Sequence, residues 1–264
     1  LPLIPRQSRT LIFFNRIISF ESQNMTDIAV VVGVGAINGL GAAIARRFAR
    51  ENYTVVVAGR TSEKLELVSE DIIQDGGECI CQTADASSPE EISKLFEFAS
   101  SKGPIKATIF NVGNNQIIDF SDLTAEILET FWRSNVLSGF LTAKAALPLL
   151  EKQGGSLLFT GASASVRGKP KFAHFGSAKA GLRNLAQSLA KEFGPRGIHV
   201  GHVIVDGVIN GELARTRFRD YLESLGKSGS LEPDAIADSY WFLHTQPQNA
   251  WTFELDIRPY KEPW

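Results

Sequence analysis

Residues 28–34 are an apolar run that leads straight into Gly35-Ala36-Ile37-Asn38-Gly39-Leu40-Gly41 and then into a helical pattern. A strand, a glycine-rich turn and a helix in that order suit a phosphate. The glycines permit a tight turn, close approach of the backbone to a pyrophosphate and packing of the helix on the sheet, while the N–H groups and dipole at the helix start favour negative charge. A second strand-like run ends at Ala58-Gly59-Arg60. An acidic residue there would bond a ribose 2′-hydroxyl and repel a 2′-phosphate; Gly59 leaves room, and the Arg60 guanidinium can take such a phosphate through a forked contact. These features predict a dinucleotide site that favours NADP, with NAD as the alternative. A turn that serves packing alone and a solvated Arg60 are the competing readings.

Lys179 stands four residues after Phe175 on a predicted helix, so both lie on one face. Phe175 carries no ionisable proton. The stretch Phe175-Gly176-Ser177-Ala178-Lys179-Ala180-Gly181-Leu182 resembles the active-site helix of the short-chain dehydrogenases and reductases, where a Tyr stands four residues before the Lys. The resemblance runs from Asp27 to Asp256. It includes the GxxxGxG spacing of Gly35, Gly39 and Gly41, with Val34 where the family has Thr. Asn111-Val112-Gly113 is similar to the family's Asn-Ala-Gly, and Asp206-Gly207 stands where relatives have Pro-Gly near the nicotinamide. The tail from Trp251 to Pro259 is similar to a divergent subgroup with Phe at the Tyr place.

The resemblance implies hydride transfer between nicotinamide C4 and a carbonyl carbon. In the family a Tyr protonates the oxygen, a Ser polarises it, a Lys lowers the Tyr pKa and holds the ribose, and an Asn anchors a water relay. Lys179 matches the Lys, and Asn135 in Trp132-Arg133-Ser134-Asn135-Val136 matches the Asn. Counting back through Lys169-Pro170 places Ala162 at the Ser position, with Ser163 and Ser165 nearby; Ser163 is the residue taken for the role. The cofactor set implied is Gly35, Asn38, Gly39, Leu40, Arg60, Asp85, Asn111, Gly113, Lys179, Asp206 and Gly207, with helix capping near Ser87 and Ser88 as the other reading of Asp85. Phe175 fills the Tyr place without its chemistry. Loss of a general acid costs a factor on the order of 10² to 10⁴, so a water held by Lys179 and Asn135, or His174, must bring the proton. The expected function is NADP(H)-dependent oxidation or reduction of a small carbonyl or alcohol with an altered proton donor. The alternative is a catalytically silent NADP-binding regulator or scaffold.

The elements that must position these groups follow from the pattern. Strands are expected at residues 28–34, 53–58, 78–83, 105–110, 156–160, 199–205 and 252–257, with helices at 40–50, 62–74, 89–100, 122–150, 170–193 and 233–244. Continuous apolarity in several strands means that both faces are covered. The fold class is therefore α/β, a Rossmann-type doubly wound parallel sheet of about seven strands with helices on both faces, in a single domain over residues 27–264. Residues 211–232, polar and rich in Arg, Ser and Gly, form either a surface helix-loop or the segment that closes over substrate.

Composition narrows the partners. The formal charge of −2, from 27 basic and 29 acidic side chains without a basic block, asks for neither nucleic acid nor an anionic membrane. Cys79 and Cys81 fall on one face of one strand as packing residues, and nothing has metal-ligand spacing. Residues 1–26 are an extension: Arg6, Arg9 and Arg16 without an early acid resemble a mitochondrial transit peptide, against the reading that the chain proper starts at Met25 and is cytoplasmic. By family analogy the long helices at 122–150 and 170–193 assemble a homodimer or homotetramer.

Overall fold

A computed structural model describes residues 26–113 and 115–262; the transit-peptide reading falls on residues outside these. Seven strands, β1 (Ile28–Val32), β2 (Thr54–Gly59), β3 (Glu78–Thr83), β4 (Ile105–Phe110), β5 (Gly155–Thr160), β6 (Ile198–Val205) and β7 (Glu254–Ile257), form one sheet among the described residues. Its order is β3-β2-β1-β4-β5-β6-β7, and every neighbouring pair is parallel. The chain reverses its direction of travel across the sheet between β1 and β4. In open α/β sheets the crevice beyond the strand ends at that point is where ligands bind.

The helices are α1 (Leu40–Ala49), α2 (Ser62–Gln74), α3 (Pro89–Lys102), α4 (Ala125–Trp132), α5 (Ser138–Leu150), α6 (Ala173–Phe193), α7 (Glu212–Arg217), α8 (Arg219–Ser224) and α9 (Pro233–His244). Because successive strand side chains alternate, Ala29 and Val31 of β1 pack with α1, α2 and α9, while Ile28, Val30 and Val32 pack with α3, α5 and α6. Two apolar layers on one sheet explain why a central strand such as β1 is apolar without a break. Cys79 and Cys81 are free and pack at the rim of the first layer, where burial pushes the Cys79 thiol up to about 12.

Three boundaries depart from the pattern for a clear local reason. β1 stops at Val32 because Gly33 adopts φ +96°, after which the Gly33 and Val34 N–H groups both donate to Ala58 O. The expected helix 122–150 is two α-helices joined by a π-helical turn, Arg133–Leu137. There Asn135 Nδ2 donates to Phe131 O at 2.9 Å, competing for the acceptor that the α-helical N–H would use. α6 starts at Ala173 rather than residue 170, since Lys171 sits at φ +68°. The excursion carrying α7 and α8 is closed at its base by a parallel bridge between Ile209 and Leu231.

Candidate functional site

The glycines of the first turn divide their work. A Cβ on Gly39 would stand 2.9 Å from Ala36 O, and one on Gly41 would stand 2.9 Å from Gly33 O and 3.0 Å from Val34 Cα. Gly39 therefore closes the turn and Gly41 seats α1 on β1. Gly35 is different: nothing lies within 4 Å of its Cβ position, so no packing within the chain demands a glycine there. The open space suits a group from outside the chain. α1 begins at Gly39 without a side-chain cap and without an acid in its first turn, which leaves N–H groups and the positive dipole end for an anion. These residues fit a pyrophosphate. Asn38 is exposed, with its main-chain oxygen beside Gly211 at the foot of the α7 excursion, and Glu212 pairs with Lys64 of α2 at 3.6 Å.

Gly59 has another cause than the one expected. A Cβ there would overlap Val34 O, so close main-chain packing requires the glycine, and room for a phosphate is not what selects it. Arg60, which follows it, is exposed. Asp85 Oδ1 accepts from both the N–H and the hydroxyl of Ser87 at 2.8 Å, and Ser88 caps α3 by accepting from Glu91 N. The Ser87 N–H, assisted by the Ser87 hydroxyl and the charge of Arg60, holds the Asp85 carboxyl below the usual carboxylate range. The turn into α3 is built on Asp85.

Asn111, at the end of β4, cross-links the crevice. Its Nδ2 donates to Gly33 O at 3.1 Å and its Oδ1 accepts from Thr160 Oγ1 at 3.0 Å, with the Tyr240 hydroxyl 2.6 Å from the same Thr160 oxygen. β1, β4, β5 and α9 are thus tied at one edge. Lys179 reaches this edge from α6: its Nζ donates to Thr160 O at 2.9 Å and approaches Val112 O at 3.5 Å. Gly113 is the point of convergence, because a Cβ on it would stand 3.2 Å from Lys179 Nζ and 3.8 Å from Asn135 Oδ1. Burial without a carboxylate partner lowers the Lys179 pKa to about 8. Asn135 is fully buried, and its Oδ1 accepts no hydrogen bond among the described residues. A buried acceptor beside a buried amine is a place for one bridging water.

The wall facing these polar groups is apolar. Phe175, 9% exposed, packs with Phe131 and Ala178, and Ala162, Ile118, Ile127 and Val136 lie against the same cluster. Ala162 and Phe175, at the two positions where the resemblance implies hydroxyls, therefore share one apolar surface. Lys179 Nζ lies 5.9 Å from the Phe175 ring centroid. Ser163 begins a 3-10 turn, Ser163–Ser165, half-buried and with no side-chain hydrogen bond among the described residues, whereas Ser165 is buried and accepts from Ala162 N at 3.1 Å. His174 is buried edge-on against Phe131, 4.3 Å between ring centroids, and burial lowers its pKa.

At the end of β6, Gly207 (φ +148°) needs to be a glycine, since a Cβ would stand 2.7 Å from Pro259 Cδ. Asp206 is buried and holds two cations: Arg167 Nη2 donates to both of its oxygens at 2.8 Å, and Arg258 Nη2 lies 3.0 Å from Oδ2. Sequence reasoning placed Asp206 but missed Arg167 and Arg258. An Asp where the family has Pro was the one signal available, because a buried carboxylate requires a cation. Missed as well was the packing of Gly161 on His202, whose Nδ1 meets Glu254 Oε2 at 3.0 Å while Glu254 takes Arg183.

The family model described as short chain dehydrogenase matches residues 28–221. An uncharacterized oxidoreductase of Listeria monocytogenes is 30% identical over 246 residues, covering 89% of this chain and 98% of its own. Among solved structures, a short-chain dehydrogenase from Rhodopseudomonas palustris is 35% identical with a TM-score of 0.76, covering 89% of this chain and 99% of its own. The NADPH-bound short chain oxidoreductase from Pseudomonas aeruginosa, described as containing an atypical catalytic center, has a TM-score of 0.81 at 21% identity, covering 89% and 96%.

Proposed function

Because this chain belongs to the short-chain dehydrogenase family, we propose that it is an NADP(H)-dependent oxidoreductase acting on a small carbonyl or alcohol, with the proton handled by a group other than side chain 175. The observation that carries this reading is the convergence of Lys179 Nζ, Asn135 Oδ1 and Gly113 beyond the strand ends, one crevice away from the open space at Gly35. When bound, the cofactor supplies or accepts the hydride. The first turn of α1 would hold its pyrophosphate, Arg60 its 2′-phosphate, and Lys179 its nicotinamide ribose. Phe175, Phe131 and Ala162 exclude water from the reacting face.

Lys179 stays protonated below about pH 8, so at neutral pH it holds a proton to give. A water between it and the unpartnered Asn135 Oδ1 is the path that proton takes. Two apolar residues at the hydroxyl positions also favour a second reading, a silent NADP-binding regulator or scaffold. Self-association fits either reading, as Leu128 and Trp132 of α4 and Phe140 of α5 are exposed. No helix among the described residues is long and apolar enough to cross a membrane.

The test compares wild type, Phe175→Tyr and Lys179→Ala in NADPH oxidation across a panel of aldehydes and ketones. Slow turnover above the Lys179→Ala level, with a gain on the order of 10² or more in Phe175→Tyr, is expected. Wild-type rates equal to those of Lys179→Ala, with cofactor binding intact, would leave the silent reading.

A further inference from the structure

We propose that Arg167, held in place by Asp206, selects the substrate by taking a carboxylate carried on the carbonyl compound; this deepens the oxidoreductase reading of the same site and rests on it. Arg167 belongs to the connection between β5 and α6, the one that also carries Ala162 and Ser163 and leads into Phe175. Its N–H donates to Ser163 O at 3.1 Å, so its main chain is fixed to the start of that connection. Its side chain spans to the end of β6, where Asp206 waits with a side chain 4% exposed. Arg167 thus lies across the mouth of the crevice between two strand ends.

The bond pattern leaves the guanidinium half used. Nη2 alone serves both Asp206 oxygens, while Nε and Nη1 make no hydrogen bond or ion pair among the described residues, and the side chain is 43% exposed. An Arg fixed from one corner by a buried carboxylate keeps a fork of N–H donors in a set orientation, and that fork matches a carboxylate. Asp206 has a second contact of its own, with Arg258 Nη2 at 3.0 Å, a guanidinium that it shares with Asp256 at 2.8 Å. A carboxylate that binds at the other edge of Arg167 therefore leaves Asp206 with both of its contacts.

The stretch of chain that carries Arg167 has the same sign. From residue 152 to residue 191 the chain has no Asp or Glu, and the connection before α6 carries Arg167, Lys169 and Lys171. Lys171 pairs with Asp119 at 3.0 Å, which leaves Lys169 and the buried Lys179 amine as additional positive charge. With the apolar wall of Phe131, Phe175 and Ala162, the site is complementary to a carbonyl compound with a hydrocarbon body and a carboxylate end, and a neutral ketone leaves the fork unused.

The experiment uses acid and ester pairs, which keep the carbonyl and remove the charge: levulinate against methyl levulinate, and 4-benzoylbutyrate against its methyl ester. Reduction by NADPH is followed for each, and binding of the same compounds to the protein is measured by calorimetry, which needs no turnover. For at least one pair the acid is expected to bind and react about 10- to 100-fold better than the ester, the size of charged hydrogen bonds. Arg167→Gln should raise KM for the acid by that factor and leave the ester within about twofold; Asp206→Asn, which releases the guanidinium, should give part of the same loss. Equal handling of acid and ester by the wild type, or an acid preference that survives Arg167→Gln, overturns the proposal. Acid binding that depends on Arg167 without any reduction upholds the recognition and overturns the oxidoreductase reading, whereas equal reduction of both compounds does the reverse.

Discussion

Replacing Gly35 with Ala separates the stability of this fold from its capacity to hold a cofactor. Nothing lies within 4 Å of the added methyl, and Gly35 is not in the left-handed region, so the folded state accommodates Ala without strain. Reduced freedom of the unfolded chain then stabilises the variant by about 0.4–1 kcal/mol, a rise in Tm of roughly 1–4 °C at this size. The same methyl occupies the space assigned to the pyrophosphate, where it should weaken NADPH at least ~10-fold, about 1.4 kcal/mol. Gly41→Ala provides the contrast, since its methyl would meet Gly33 O at 2.9 Å and Val34 Cα at 3.0 Å. Such overpacking costs about 1–3 kcal/mol and lowers Tm. Thermal unfolding and calorimetric titration with NADPH read the two quantities on the same samples. A Gly35→Ala protein that binds NADPH within twofold of wild type, or that melts more than a few degrees lower, refutes the division of labour among these glycines.

Arg60→Gln should cost NADPH about 10- to 100-fold in affinity and leave NADH unchanged; an unaltered ratio of the two affinities would remove Arg60 from the 2′-phosphate site. Acid should weaken the fold through His202 and His244, whose pKa values burial lowers to about 4 from 6.5. Both are neutral when folded, so as pH falls below 6.5 the unfolded chain takes up protons first, and each His removes about 3 kcal/mol by pH 4. Urea unfolding at pH 7 and at pH 4.5 measures the loss, and a flat profile across that range contradicts it.

The sheet was legible because several of its strands, β1 and β2 above all, are apolar on both faces and bounded by Gly or polar turns. The π-helical turn at Asn135 was not, since an uninterrupted helical pattern gives no sign that a side chain will compete for the Phe131 carbonyl. Lys179 Nζ and Asn135 Oδ1 both lie near Gly113, three residues from separate segments that only the family resemblance had linked. Gly59 illustrates the opposite case, because a glycine at a strand end looks the same in sequence whether a ligand or the chain's own Val34 carbonyl requires it. Arg167 lay hidden for a related reason. Its partner Asp206 is 39 residues away along the chain, and only the parallel pairing of β5 with β6 brings the two strand ends side by side.

A crystal structure of the protein soaked with NADPH tests the central claim most directly. The pyrophosphate is expected over Gly35 at the start of α1 and the nicotinamide ribose within hydrogen-bond distance of Lys179 Nζ, with the nicotinamide ring against the Phe175 side of the crevice. Density for the cofactor elsewhere, or a nicotinamide held away from Lys179, would contradict it.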